Sequence, residues 1–307
     1  MNRSANPSLE ASSNLAATAA RGAAPQPGPR GPGTASLSWL GQLDALSLFA
    51  ATLLLLLVIG SVTRHYRPGP AGVALTEVFA ILLPALLWSR TRRRHVVALL
   101  GLKPFLLRQI LGGALLGASL FLCLAVFIEP LLDRVFPVSL RERQQLLQLL
   151  APPSGLRPLW QDLLCFAAAP AVCEEVLFRG AILAALLGRA SLVAAPTRER
   201  PALAVLLCAL LFGAFHLSWA KLLPTTILGL GFGIAAVRSR SLWPAVCMHL
   251  VNNGLVIVLV RGGQVDPQVP LLSPLAALTA AAAAALLAAG AWLSRPPAAP
   301  DESGQRA

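Results

Sequence analysis

Charge is what this 307-residue chain has least of: 12% of its residues are Asp, Glu, Lys or Arg, about half the share of a soluble domain. Only 13 are acidic, whereas 56% are hydrophobic and the mean hydropathy is +0.69. Several apolar stretches reach the roughly 18–20 residues that span a hydrocarbon core. They are continuous rather than alternating, which excludes a β-barrel. The fold class expected is therefore an all-α polytopic membrane protein, a bundle of about eight transmembrane helices. Cysteine is sparse too. Cys123, Cys165, Cys173, Cys208 and Cys247 all lie in apolar segments without a CxxC spacing, so neither a disulfide framework nor a zinc knuckle is indicated. No GxSxG signature supports a serine acyl-enzyme. No internal repeat or matching pair of broken helices supports a proton-coupled transporter.

The net charge of +12 sits at the ends of apolar segments, as in Arg90, Arg92, Arg93, Arg94 and in Arg238, Arg240. That is the positive-inside pattern of a protein whose partner is the lipid bilayer, with no nucleic acid required. Residues 1–38, rich in Ala, Ser, Pro and Gly, read as a disordered tail rather than a cleavable signal. The transmembrane domain is expected over 39–295, with its polar motifs within 170–255 and a polar tail over 296–307. Spans are expected at about 43–62, 71–89, 105–128, 159–187, 201–217, 222–237, 242–260 and 271–293. Between them lie an interfacial piece at 96–104, a long loop at 129–158 with an amphipathic stretch at 141–150, and a basic loop at 188–200. The arginine cluster after the second span puts both termini in the cytoplasm and the chain in the cell inner membrane as a multi-pass protein. Gly113 and Gly117 have the small-xxx-small spacing of close helix packing, and Gly229, Gly231 and Gly233 read the same way, because no strand precedes them. Pro170 is expected to kink the fourth span.

Against this background the polar residues inside the spans stand out. The fourth span carries Cys173-Glu-Glu-Val-Leu-Phe-Arg-Gly180, the fifth Phe212-Gly-Ala-Phe-His216 and the seventh His249-Leu-Val-Asn-Asn253. A Glu or Arg at the membrane centre costs roughly 2.5–3.5 kcal/mol, so such residues mark a site unless they are paired. Glu175 and Arg179 are i,i+4 and can pair on one helix face, which leaves Glu174, about 100° away, without that partner. His249 and Asn253 are also i,i+4. At ~1.5 Å per residue, Glu174, His216 and Asn253 all fall in the broad middle of a ~30 Å core. Glu77, in the second span, is a further intramembrane acid, read as an interfacial or inter-helix group.

A carboxylate beside an imidazole holds and deprotonates a water, while an amide and a second imidazole donate hydrogen bonds to a developing oxyanion. The set reads as water-activated hydrolysis of an amide within the membrane. Cys173 beside Glu174 suggests a thiol nucleophile only weakly, since a neighbouring carboxylate suppresses the thiolate.

Glu174-Glu175-x-x-x-Arg179, Phe212-x-x-x-His216 and His249-x-x-x-Asn253, in this order on separate helices, resemble the CPBP group of intramembrane proteases. That group comprises the CAAX prenyl endopeptidases and the bacterial Abi, or bacteriocin-processing, proteins. The resemblance covers roughly residues 95–260 and implies an eight-helix bundle. It implies that Glu174 and His216 activate the hydrolytic water, that His249 and Asn253 form the oxyanion hole, and that Glu175 and Arg179 support them. The substrate implied is a membrane-associated protein or peptide. No cofactor is favoured. Zinc is the alternative, for which Glu174, His216 and His249 would supply three ligands although no HExxH is present. Two other functions stay open: a C-terminal sorting-signal protease of the myxosortase-like branch, and a non-catalytic immunity or scaffold protein of the same fold.

Overall fold

The computed structural model describes residues 39–91, 101, 106–136, 157–188, 201–262 and 274–293. The expected N-terminal tail, the amphipathic stretch 141–150, the basic loop 188–200 (apart from Gly188) and the C-terminal tail lie outside the described residues, as does the interfacial piece 96–104 apart from Gly101.

Among the described residues the chain forms eight helical rods and no strand. They are α1 (Trp39–Tyr66), α2 (Pro70–Thr91), α3 (107–135), α4 (159–186), α5 (Pro201–Phe215), α6 (Trp219–Ser239), α7 (Trp243–Arg261) and α8 (Pro274–Leu293). By length and composition five are apolar enough to cross a membrane: Gly41–Tyr66, Pro70–Thr91, Leu107–Leu132, Trp219–Ser239 and Trp243–Arg261. The fifth rod, Pro201–Phe215, is apolar but shorter. Leucines such as Leu54, Leu57 and Leu164 face outward, as expected where lipid is the solvent. The chain is an all-α membrane bundle.

Local chemistry sets the ends. Proline occupies the first turn of α2 and of α7, where its missing N–H costs nothing. Arg240, at φ 53°, turns the chain out of α6 in the left-handed conformation that commonly ends helices. Residues 129–135, assigned above to the long loop, continue α3 as helix Glu129–Val135, with the π turn Leu124–Ile128 accommodating Pro130.

Three rods change pitch along their length. π-helical turns occupy Glu77–Leu82 in α2, Leu124–Ile128 in α3, and both Leu163–Ala168 and Val176–Ile182 in α4. Three of these four turns end two residues before a proline: Pro84, Pro130 and Pro170. A proline ring pushes away the carbonyl four residues back and cannot donate to it, which widens the preceding turn. The expected disturbance at Pro170 thus takes the form of a π turn. The fourth turn, Val176–Ile182, contains no proline; it carries Arg179, and all seven of its residues are buried.

Helix α3 packs against α7 and α8, α5 against α6, and α4 against α2 and α7. The glycine spacing in α3 is a close approach: a Cβ on Gly117 would lie 2.5 Å from the Met248 carbonyl oxygen, and one on Gly113 2.6 Å from that of Pro244. Ser119 Oγ donates to the Ala283 carbonyl at 2.7 Å, tying α3 to α8. In α6, Gly229 meets Ala209 and Gly233 meets Val205 of α5, while Gly231 faces Leu120 and Met248, so these glycines serve helix contact.

Candidate active site

The site is built where α4, α5, α6 and α7 meet. Arg179, fully buried in the π turn of α4, is engaged from three directions, while its Nε has no hydrogen-bond partner within the protein. Its Nη1 donates to Glu175 Oε1 at 2.7 Å and its Nη2 to the Gly229 carbonyl of α6 at 3.1 Å. The guanidinium carbon also lies 4.4 Å from the Phe212 ring centroid and 5.1 Å from that of Phe232. An ion pair, a carbonyl and two aromatic faces together offset the cost of burying this charge.

Glu175 has a second task that its helical spacing does not reveal. The same Oε1 that accepts from Arg179 lies 3.0 Å from His249 Nδ1, so the ring nitrogen donates to it. His249 is further fixed by stacking on Phe232, at 5.1 Å between centroids and 23° between planes, and by an edge contact with Phe212 at 5.9 Å. With Nδ1 committed to Glu175, the free nitrogen is Nε2, which lies 3.9 Å from Glu174 Oε2. That separation is too long for a direct hydrogen bond and short enough for both atoms to contact one water. Glu174 is 8% exposed, and its Oε2 has no hydrogen-bond partner within the protein.

His216 lies just past the C-terminal end of α5, in the turn towards α6. Its Nδ1 is 2.9 Å from the Phe212 carbonyl, and its ring meets the Phe212 ring edge-on at 5.1 Å. Phe212 is thus a wall shared by both imidazoles. Among the described residues no hydrogen bond or ion pair joins His216 to Glu174; the imidazole next to Glu174 is that of His249.

Asn253 Nδ2 donates to the Phe166 carbonyl at 3.5 Å. Phe166 is four residues before Pro170, so its carbonyl lacks the usual helical donor and the amide of α7 supplies one. Asn252 Nδ2 donates to Asn253 Oδ1 at 3.2 Å and orients the amide from the other side.

Four contributors were not foreseen from the sequence. Asn252 is the first. The others form an ion cluster at the start of α4: the fully buried Asp162 pairs with Arg157 and, at 3.1 Å, with Arg261 at the end of α7. Arg261 Nη2 also donates to the Arg157 carbonyl at 2.8 Å. This cluster holds together the two helices that carry Glu174, Glu175, His249 and Asn253. The Asn-Asn pair was a visible signal for Asn252; the Asp162–Arg261 pair spans 99 residues and had none.

Among the described residues no three His, Cys, Asp or Glu side chains are grouped to hold a metal ion. Cys173 is a buried free thiol.

Residues 156–255, which supply every motif of this site, match the family model described as type II CAAX prenyl endopeptidase Rce1-like. Over this stretch the chain is similar to the CPBP/CAAX protease family, and the match supports an intramembrane CAAX-type protease at family level. Comparison with the curated proteins and with the solved structures gives no match.

Proposed function

With this match to the CAAX-type protease family as premise, we propose that the protein is a glutamate-type endopeptidase hydrolysing a peptide bond of a membrane-associated protein or peptide. Glu174 is the base. Together with His216 it holds the attacking water and takes its proton as the oxygen bonds to the substrate carbonyl carbon. His249, as an imidazolium whose Nδ1–H is held by Glu175, donates through Nε2–H to the oxyanion that forms, and Asn253 donates through Nδ2. Collapse of the tetrahedral intermediate breaks the C–N bond, and Glu174 returns the proton to the leaving amine. Glu175 and Arg179 position His249 and carry no proton in the cycle.

One observation carries this reading: the His249 ring bridges the two glutamates, Nδ1 on Glu175 and Nε2 towards the unpartnered oxygen of Glu174. A donor to the oxyanion and a base for the water are needed within one substrate's reach of each other, and this arrangement supports both. No step is routed through a metal. The protein is placed in the inner membrane with both termini cytoplasmic, a reading supported by the arginines that follow the second and sixth spans.

The test compares the N- and C-termini of the membrane proteome in cells carrying the wild type, Glu174→Gln or His216→Ala, with protein level and folding checked in each. Termini that vanish in both variants identify the substrate and show whether a prenylated tail or a sorting tail is removed. Normal processing by either folded variant rejects the assignment. Protection or binding retained without any change in termini supports the non-catalytic scaffold instead.

A further inference from the structure

Glu77 is a carboxyl group that the proposed mechanism does not use, although its surroundings are those of the site. It opens the π turn Glu77–Leu82 of α2, where Glu77, Ala80 and Ile81 are buried. That turn packs against Ala169–Glu175 of α4, the segment that presents Glu174. Glu77 is 7% exposed, and its Oε2 has no hydrogen-bond partner within the protein. Glu174 Oε2 is in the same condition, on the segment of α4 that this π turn packs against. Among the described residues no arginine, lysine or histidine is paired with Glu77, so the compensation that Arg179 gives Glu175 has no counterpart here.

A buried acid without a counter-ion is tolerated when it is neutral and hydrogen-bonded. A neutral carboxyl has one O–H to donate, and an ionised carboxylate only accepts. Glu174 must accept, both to hold the water and to take its proton. The donor that Glu77 offers and the acceptor that Glu174 presents are therefore complementary, and one bridging water satisfies both unpartnered oxygens. A π turn, which often marks a functional position in a helix, begins at this residue.

We propose that Glu77 is a positioning residue of the hydrolytic site, its carboxyl group hydrogen-bonded to the carboxylate of Glu174 across one water. This rests on the assignment of Glu174 as the base. Through that bridging water Glu77 occupies one lone pair of Glu174 Oε2, and the remaining acceptor capacity of the carboxylate is left to the hydrolytic water.

Two measurements on the full-length protein test it. In the first, Glu77→Gln, which keeps a donor, retains processing of the termini identified by the Glu174→Gln comparison. Glu77→Leu, of similar volume without a donor, lowers processing by about 10- to 100-fold with an unchanged thermal midpoint in detergent. Equal activity of Glu77→Leu and the wild type, or equal impairment of the Gln and Leu variants, overturns the proposal. In the second, the protonated-carboxyl stretch in the infrared spectrum of the purified protein disappears in Glu77→Gln and shifts in Glu174→Gln. A band that Glu174→Gln leaves in place also overturns it, even if Glu77→Leu does not fold. Should Glu174→Gln itself process normally, the hydrolytic reading fails, while the infrared shift still reports on the contact between the two carboxyl groups.

Discussion

Glu175 Oε1 lies 3.0 Å from His249 Nδ1 while accepting from Arg179 at 2.7 Å, so a single oxygen of α4 fixes the orientation of an imidazole on α7. The consequence is directional. With Nδ1 bound, Nε2 is the nitrogen that faces Glu174, and the ring cannot turn without leaving Glu175 partnered by Arg179 alone.

Glu175→Gln should therefore impair cleavage without unfolding the protein. An amide still reaches both partners but presents either its oxygen or its NH2, and it carries no charge to pair with Arg179. A misdirected His249 should cost about 100-fold in rate, the scale of an ångström's misplacement at a reacting group. Cleavage of a defined substrate by the purified variant measures it. Wild-type rates with Gln at 175 would mean that the His249 contact is structural only.

Removing Arg179 should be worse for stability than removing the pair. Arg179→Leu leaves Glu175 as a fully buried carboxylate beside His249, and breaking a buried pair in this way costs about 3–5 kcal/mol. The double change Glu175→Leu with Arg179→Leu removes both charges and should recover much of that loss while remaining inactive. Thermal unfolding of the single and double variants in detergent gives the coupling. Additive effects would contradict the geometry, because both side chains share one contact.

Much of this was legible from spacing within a helix. The Glu175–Arg179 pair, the isolation of Glu174 and the neighbouring His249 and Asn253 all follow from the i,i+4 rule, which needs no tertiary information. The Gly113–Gly117 approach to α7 was legible in the same way. Contacts between helices were not. Nothing local to Glu175 says that it also serves His249, 74 residues on. The continuation of α3 through Val135 was missed because Glu129, Asp133 and Arg134 look like loop residues, although charge at a span's end is compatible with helix. The position of His216 shifted for a similar reason: the apolar run continues past it, yet the helix stops at Phe215 and Leu217 takes a left-handed φ of 51°.

Chelation and loss of the thiol are both expected to leave activity intact. A strong chelator, with metal content measured on the same sample, should not reduce the rate of the purified protease. Loss of activity restored by Zn²⁺ would establish the metal-dependent mechanism instead. Cys173→Ala should process substrate at the wild-type rate, since a thiol buried beside Glu174 is poorly placed to become a thiolate nucleophile. A covalent adduct trapped on Cys173, or loss of processing in the alanine variant, would reverse this.

The proline of α4 offers the most specific test of how the oxyanion donor is held. Pro170 has no N–H, so the Phe166 carbonyl is open to Asn253 Nδ2 across the helix interface. Pro170→Ala restores a backbone donor four residues beyond Phe166 and removes a residue that disfavours helix by about 3 kcal/mol relative to alanine. The variant should thus be at least as stable as the wild type. Its Phe166 carbonyl would take the backbone N–H, Asn253 would lose its anchor on α4, and only the contact with Asn252 would orient the amide. We expect catalysis to fall by about tenfold, with substrate binding little changed, because the donor is needed chiefly when the oxyanion forms. A stabilised Pro170→Ala protein with full activity would show that Asn253 is oriented independently of α4. A destabilised one would show that the π turn at 163–168 is required by the bundle rather than tolerated for the sake of the amide.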